Sequence, residues 1–322
     1  MPPLELGLIG ATAIAQRVLC ASQVRAVAAS DPVRAKEYAS AHGIPVVHET
    51  YSALLADPEI NAVYVSLHSS AHHRWAVRAA LAGKHVIVEK PLCLTANEVA
   101  EIEYAAAEGG VQVVEAVASA GQEWQEAVRA MVVDEPYGRL QRVETAMAFA
   151  DPVDGNYRRY PELGGGIFFD AASYWLEALQ STIGLDDDDV VVEGRSDFEG
   201  PHGIDYVFRA SLRWPGGAEA VLTARFGDRH VSDHLFVFER ATVKMRNFLR
   251  PMAGTLPLNV VVQETRRRVI AFPAVSYYER QLSRIRTLVA GDPISWPGQL
   301  SAAIRRIELM DDIYRDARSR HE

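Results

Sequence analysis

Short apolar runs and amphipathic stretches alternate along the first 120 residues. The runs are LELGLI (4–9), RAVAAS (25–30), a short PVV, NAVYVS (61–66), HVIV (85–88) and VQVVEA (111–116). Between them lie AIAQRVLCAS, VRAKEYASAHG, YSALLAD, HHRWAVRAALAG and 95–108, which carry the helical period. Uninterrupted apolar strands joined by amphipathic helices predict a parallel sheet buried on both faces. Right-handed crossovers then make residues 1–120 a doubly wound Rossmann domain in an α/β protein.

The rhythm changes after about residue 137. GRLQRVETAMAF, DVVVEGRSDFE, DYVFRASLRW, AEAVLTARFG, DHLFVFER, ATVKMRNF, PLNVVVQE and RRVIAFP follow in succession, some separated by turns such as WPGGAE (214–219). Strands in series predict an α+β domain over 121–322 with a large open, mostly antiparallel sheet. One helix interrupts it at 165–181, and helices at about 276–290 and 298–318 end the chain, the last packing back on the first domain. A sheet face without helical cover marks an interface, which predicts a homodimer or homotetramer.

Composition narrows the function. Of 322 residues, 48% are hydrophobic and 23% charged, with net charge −9, so a polyanion such as nucleic acid is not the expected partner. The basic run Arg266–Arg268 reads as a solvated strand edge, and the four aspartates at 186–189 as a solvated loop. Cys20 and Cys93 sit in apolar stretches without disulfide or zinc spacing, which suits a reducing compartment. No apolar run approaches the ~20 residues that span a bilayer. MPPLELGLIG enters a strand without a basic leader, so the expected location is cytoplasmic.

The first turn reads GLIGATAIA. Gly10 and Ala15 fit the first and third small positions of a dinucleotide-binding turn, while Thr12 holds the second, where its hydroxyl can meet a phosphate. Asp31 stands where an acid would bind the ribose of NAD, yet Asp31-Pro32 also suits a helix start. Ala29 and Ser30 are uncharged and leave room for the extra phosphate of NADP. At 85–99, HVIVEKPLCLTANEV runs from a strand into Glu89-Lys90-Pro91; proline holds Lys90 extended at the strand mouth. His68 and His72, at i and i+4, have no evident third ligand, so no metal is expected. From periodicity alone Tyr174 is one aromatic of an apolar stripe with Phe168, Ala171 and Trp175, and Lys90 is a solvated lysine.

A resemblance reverses those two readings. AGKHVIVEKPLCLTANEVAEIEYAA and the preceding NAVYVSLHSSAHHRWAVRAALAGKHV resemble the Gfo/Idh/MocA oxidoreductases, whose Glu-Lys-Pro lysine lies beside the nicotinamide. NYRRYPELGGGIFFDAASYW (156–175) resembles the second signature of that family. Asp170 and Tyr174 match its acid and its final His or Tyr, with Ala172 in place of a Gly. The resemblance implies a catalytic set of Lys90, Tyr174 and Asp170. It implies cofactor contacts at Gly10, Thr12, Ala13 and Ile14, at Ser30, Asp31 and Arg34, at Ser66, Leu67, His68 and His72, and at Glu89 and Lys90.

Tyrosine at 174 behind NYR and PELGGG is similar to the branch of NDP-hexose 3-ketoreductases and glucose–fructose oxidoreductase relatives. There the tyrosine is the proposed proton donor to a sugar carbonyl reduced by NADPH. Asp170 and Tyr174 share a helix face, and the Lys90 ammonium would favour the phenolate. The resemblance therefore implies NAD(P)-dependent reduction of the ketone of a nucleotide-linked keto-deoxysugar, a small-molecule substrate, with NADP(H) favoured and NAD(H) the alternative. The rivals are a sugar dehydrogenase, a thiazolinyl imine reductase of the same fold, and a non-catalytic NAD(P)-binding sensor. VASAGQEWQEAV stands where the family carries an aromatic–Met–aromatic–Arg run, so Ser119, Ala120 and Gly121 imply a reshaped pocket.

Overall fold

The computed structural model describes residues 4–19, 22–186, 189–291 and 299–321. Cys20, Asp187, Asp188 and residue 298 of the expected last helix lie outside them. The chain divides into two compact units, one of Met1–Val117 with Tyr278–Ile307, the other of Ala118–Tyr277 with Glu308–Glu322.

The first unit is built on β1 (Leu6–Ile9), β2 (Val24–Ala28), β3 (Val46–Val47), β4 (Ala62–Val65), β5 (His85–Glu89) and β6 (Val113–Ala116). All pair in parallel, in the order β3-β2-β1-β4-β5-β6. β1, β4 and β6 are buried throughout, which is why they read as unbroken apolar runs. The connecting helices are α1 (Ala15–Leu19), α2 (Pro32–His42), α3 (Tyr51–Ala56), α4 (Ser69–Leu81) and α5 (Ala96–Gly109). α5 starts at a capping box in which Thr95 and Glu98 satisfy each other's backbone N–H, and Gly110 ends it in the left-handed region. Strand order reverses between β1 and β4, the place where ligands bind doubly wound sheets.

The second unit opens with α6 (Glu123–Val133), which the sequence reading did not assign. Trp124, Val128 and Met131 form its buried stripe, an i, i+4, i+7 pattern present in the segment read as a changed pocket wall. Then come β7 (Leu140–Phe149), α7 (Ile167–Thr182), β8 (Val191–Arg195), β9 (Val207–Arg213), β10 (Glu219–Phe226), β11 (Val231–Phe238), β12 (Thr242–Met245), β13 (Leu256–Gln263) and β14 (Arg267–Val275). The sheet runs β14-β13-β12-β11-β7-β10-β9-β8. β7 and β10 pair in parallel; the other neighbours are antiparallel. β8 is shorter than expected, because positive φ at Phe198 and His202 turns the chain beyond Arg195.

Burial alternates along β9, β10 and β11. Phe208, Ala210, Leu222, Ala224 and Phe236 face inward, and α7 packs against β7, β9 and β10. On the opposite face Arg142, Val221, Thr223, Leu235 and Val237 remain half-exposed. Arg266–Arg268 are exposed, at the turn into edge strand β14.

The chain ends in α8 (Tyr277–Val289) and α9 (Leu300–His321). In the first unit Arg306 of α9 forms a fully buried ion pair with Glu115 of β6, at 2.6 Å from Nη2 and 3.2 Å from Nε. Loss of either partner strands a buried charge, at a cost of about 3–5 kcal/mol.

Candidate active site

Gly10 ends β1 at φ +110°, where a Cβ would stand 2.8 Å from the Ser66 carbonyl oxygen. Only glycine suits both the conformation and that close approach. Thr12 does not stand free at the turn. Its hydroxyl donates to Ser66 Oγ (2.9 Å) and accepts from Ala15 N (3.3 Å), drawing the side chain inward at the turn into α1. Ala13 is exposed and Ile14 half-exposed. Asp31 is the N-cap of α2, accepting from Val33 N at 2.9 Å. Arg34 reaches back across the turn and donates from Nη2 (2.5 Å) and Nε (3.2 Å) to the Ala11 carbonyl. Ser30, Asp31 and Arg34 are all exposed.

At the end of β5, Glu89 and Lys90 are both buried. Tyr64 of β4 donates to Glu89 Oε1, and Glu89 Oε2 accepts from Lys90 N at 3.3 Å. The Lys90–Pro91 peptide is cis. His72, fully inside α4, sits with Nδ1 2.7 Å from the Pro91 carbonyl and Nε2 3.1 Å from that of Leu67. Burial pushes its pKa down to about 4, so the ring is neutral and donates from one nitrogen. We assign that proton to Nδ1, on the shorter bond. Leu92 N donates to Glu115 Oε1 (3.3 Å). The backbone from 90 to 92 is thus fixed by Glu89, His72 and Glu115. His68 caps no N–H with its side chain; its Nδ1 pairs with Ser70 Oγ at 3.0 Å. Among the described residues no group of three or more His, Cys, Asp or Glu is placed to hold a metal ion.

In the second unit, Asp170 and Tyr174 lie on α7 and are both nearly buried. Both Asp170 oxygens accept from Arg158, at 2.8 Å from Nε and 3.0 Å from Nη2. Arg158 was not among the residues expected from sequence. Tyr174 meets Phe149 edge-on, with ring centroids 6.5 Å apart, and His230 stacks on Phe149 at 5.6 Å. Gln125 of α6 donates to both oxygens of the buried Glu177 on α7, at 2.9 and 3.0 Å. Ser119 and Ala120 are buried just ahead of α6.

The start of α7 is anchored by Asp205, whose Oδ2 accepts from Phe168 N at 2.7 Å and whose carbonyl accepts from Ile167 N at 3.0 Å. Gly166, at φ +104°, leaves room for it, since a Cβ there would meet Asp205 Oδ1 at 2.0 Å. Burial raises the Asp205 pKa to about 7, opposed by the Phe168 N–H and the Arg318 charge of α9, with Tyr314 also nearby. Stability contributed by the retained proton is full below about pH 4 and is lost as pH rises through about 7. The melting temperature of wild type should therefore fall more between pH 5 and 8 than that of Asp205→Asn. Parallel curves for the two proteins would refute this assignment.

The first unit fits a nicotinamide dinucleotide. The glycine turn leads into α1 at the strand-order reversal, the small exposed Ala13 marks its tip, and a guanidinium lies against it. Comparison with known proteins agrees. Residues 4–117 match the Gfo/Idh/MocA oxidoreductase family with its NAD-binding Rossmann fold, and residues 125–240 match the family's C-terminal domain. An uncharacterised oxidoreductase of Rhizobium meliloti is 28% identical over 98% of both chains. A dTDP-3,4-didehydro-2,6-dideoxy-alpha-D-glucose 3-reductase of Streptomyces antibioticus is 31% identical over 63% of this chain and 67% of its own. The fold is shared with a 3-ketoreductase of Actinomadura kijaniata solved with NADP and TDP-benzene, at TM-score 0.87 and 22% identity over 98% of each chain. The chain belongs to the Gfo/Idh/MocA family and is an NAD(P)-dependent oxidoreductase.

Proposed function

We propose that the enzyme reduces the ketone of a nucleotide-linked keto-deoxysugar, with Tyr174 as proton donor and Lys90 as the hydrogen-bond donor that polarises the reacting oxygen. The observation that carries this reading is the phenol of Tyr174 on α7, one turn beyond an Asp170 that is held by Arg158. The Streptomyces relative named as a dTDP-sugar 3-reductase supports the substrate class. When bound, the reduced nicotinamide supplies the hydride. Tyr174 delivers the proton that makes the product an alcohol rather than an alkoxide. Lys90 stabilises the negative charge developing on the oxygen. Asp170 keeps the Arg158 guanidinium in place. Loss of nicotinamide absorbance with TDP-linked keto-sugars, free keto-sugars and a cyclic imine tests the proposal. Faster turnover of the free sugars or of the imine than of the TDP-linked substrates would overturn it.

NADPH is the proposed cofactor, because Ser30 is uncharged, Asp31 is engaged as a helix cap and Arg34 offers a guanidinium at the turn. Arg34→Ala should weaken NADPH binding about tenfold, the worth of one charged contact, and leave NADH nearly unchanged by calorimetry. Tighter binding of NADH than NADPH by the wild type would assign Asp31 to the ribose instead. A homodimer or dimer of dimers through the half-exposed face of the second unit's sheet is also proposed. A monomeric mass by light scattering at micromolar concentration would rule it out.

A further inference from the structure

We propose that Arg158 sets the acidity of Tyr174, acting as a positioning residue through that phenol. The inference rests on the proposed role of Tyr174 as proton donor.

Arg158 lies in a single 3-10 turn, Tyr157–Arg159, opened by Asn156, whose side-chain oxygen accepts from Arg158 N at 3.0 Å. Its carbonyl accepts from Gly166 N at 2.9 Å. A Cβ on Gly165 would stand 2.6 Å from that same carbonyl oxygen. The glycines ahead of α7 thus let the Arg158 backbone lie against the start of the helix that carries Tyr174. The guanidinium is then fixed twice, by its two-pronged bond to Asp170 and by the Tyr157 ring, 4.7 Å from its central carbon.

The charge of Arg158 is held on first by the Asp170 carboxylate and in the same sense by Tyr157 and Tyr174. An interaction between two titrating groups is mutual, so whatever the Tyr174 phenolate does for the guanidinium, the guanidinium does for the phenolate. Asp170, one helical turn before Tyr174, carries the opposite charge and pushes the other way. Tyr174 therefore lies one helical turn beyond a carboxylate that grips the guanidinium with both oxygens, and the two ends of that pair act on its phenol in opposite senses. Arginine suits the task because it stays charged at every working pH and its planar fork matches a carboxylate.

Two substitutions should then shift the phenol in opposite directions. The ultraviolet absorbance of tyrosinate, followed through an alkaline titration of the protein without substrate, gives Tyr174 by subtraction of the Tyr174→Phe curve. Arg158→Gln should move its ionisation upward by about one pH unit or more, the effect of losing an adjacent opposite charge. Asp170→Asn should move it downward, and because the cation remains this variant also guards against a misfolded Arg158→Gln. Arg158→Lys should fall between Arg158→Gln and wild type. With substrate, the alkaline limb of the kcat profile should follow the same order.

An Arg158→Gln titration identical to wild type, or shifts of the same sign in the Arg158→Gln and Asp170→Asn variants, would overturn the proposal. So would a larger shift from Lys90→Met than from Arg158→Gln, which would make Lys90 the dominant cation. If the titrations move as expected while Tyr174→Phe keeps full turnover, the electrostatic coupling stands and the proton-donor reading fails.

Discussion

Replacing Tyr174 by phenylalanine should lower turnover by about 10²–10⁴ with little change in dinucleotide affinity, the range expected for loss of a general acid. The substitution removes one oxygen and keeps the ring. That ring is nearly buried on α7 and meets Phe149 edge-on, so the packing survives and the deficit is chemical. An unperturbed phenol loses its proton near pH 10, too weak an acid for fast transfer at neutral pH unless cations favour its anion. Turnover of Tyr174→Phe with the best TDP-linked keto-sugar, beside a calorimetric dissociation constant for NADPH, makes the test. A variant within a few-fold of wild type would transfer proton delivery to Lys90, to His72 or to water.

Lys90→Met should cost about 10²–10³ in turnover, the usual worth of one positioned electrostatic donor. Methionine follows the lysine stem but carries no charge. The path of the backbone does not depend on the ammonium, because Lys90 N donates to Glu89, Pro91 O accepts from His72 and Leu92 N donates to Glu115. The variant should therefore fold and bind dinucleotide, and stopped-flow binding together with steady-state turnover would separate the two effects. Near-wild-type turnover would reduce Lys90 to a structural role.

Much of the scaffold was legible because it follows from local periodicity. The unbroken runs of β1 and β4 announced strands buried on both faces, and the period of two along β9 to β11 announced a sheet with one face inward. The helix expected over 95–108 is α5, and its start is the capping box of Thr95 and Glu98. α6 carries a plain apolar stripe of Trp124, Val128 and Met131, which the expectation of a reshaped pocket does not take in. What periodicity cannot supply is the distant partner. The carboxylate that anchors Arg158 lies 12 residues away, the tyrosine on Glu89 is 25 residues away, and the carbonyl held by His72 is 19 away. Each pairing is made by the fold, so Arg158 read as one arginine of NYRR, and Asp205 as one more acid before a strand. Thr12 is a related case, since its hydroxyl is legible as a donor but not as a bond to Ser66.

The pairing of Glu115 with Arg306 bears on how the protein is made. A ribosome delivers Glu115 early and Arg306 near the end, so the nascent first unit holds an unmatched carboxylate while the whole sheet of the second unit is synthesised. At 5–20 residues per second that interval is roughly ten to forty seconds. A gene fragment cut after residue 117 would encode every strand of the parallel sheet, yet it would leave this acid without its cation for good. Such a fragment should therefore give far less soluble protein than the full chain, the outcome expected for a unit assembled from both ends of one chain.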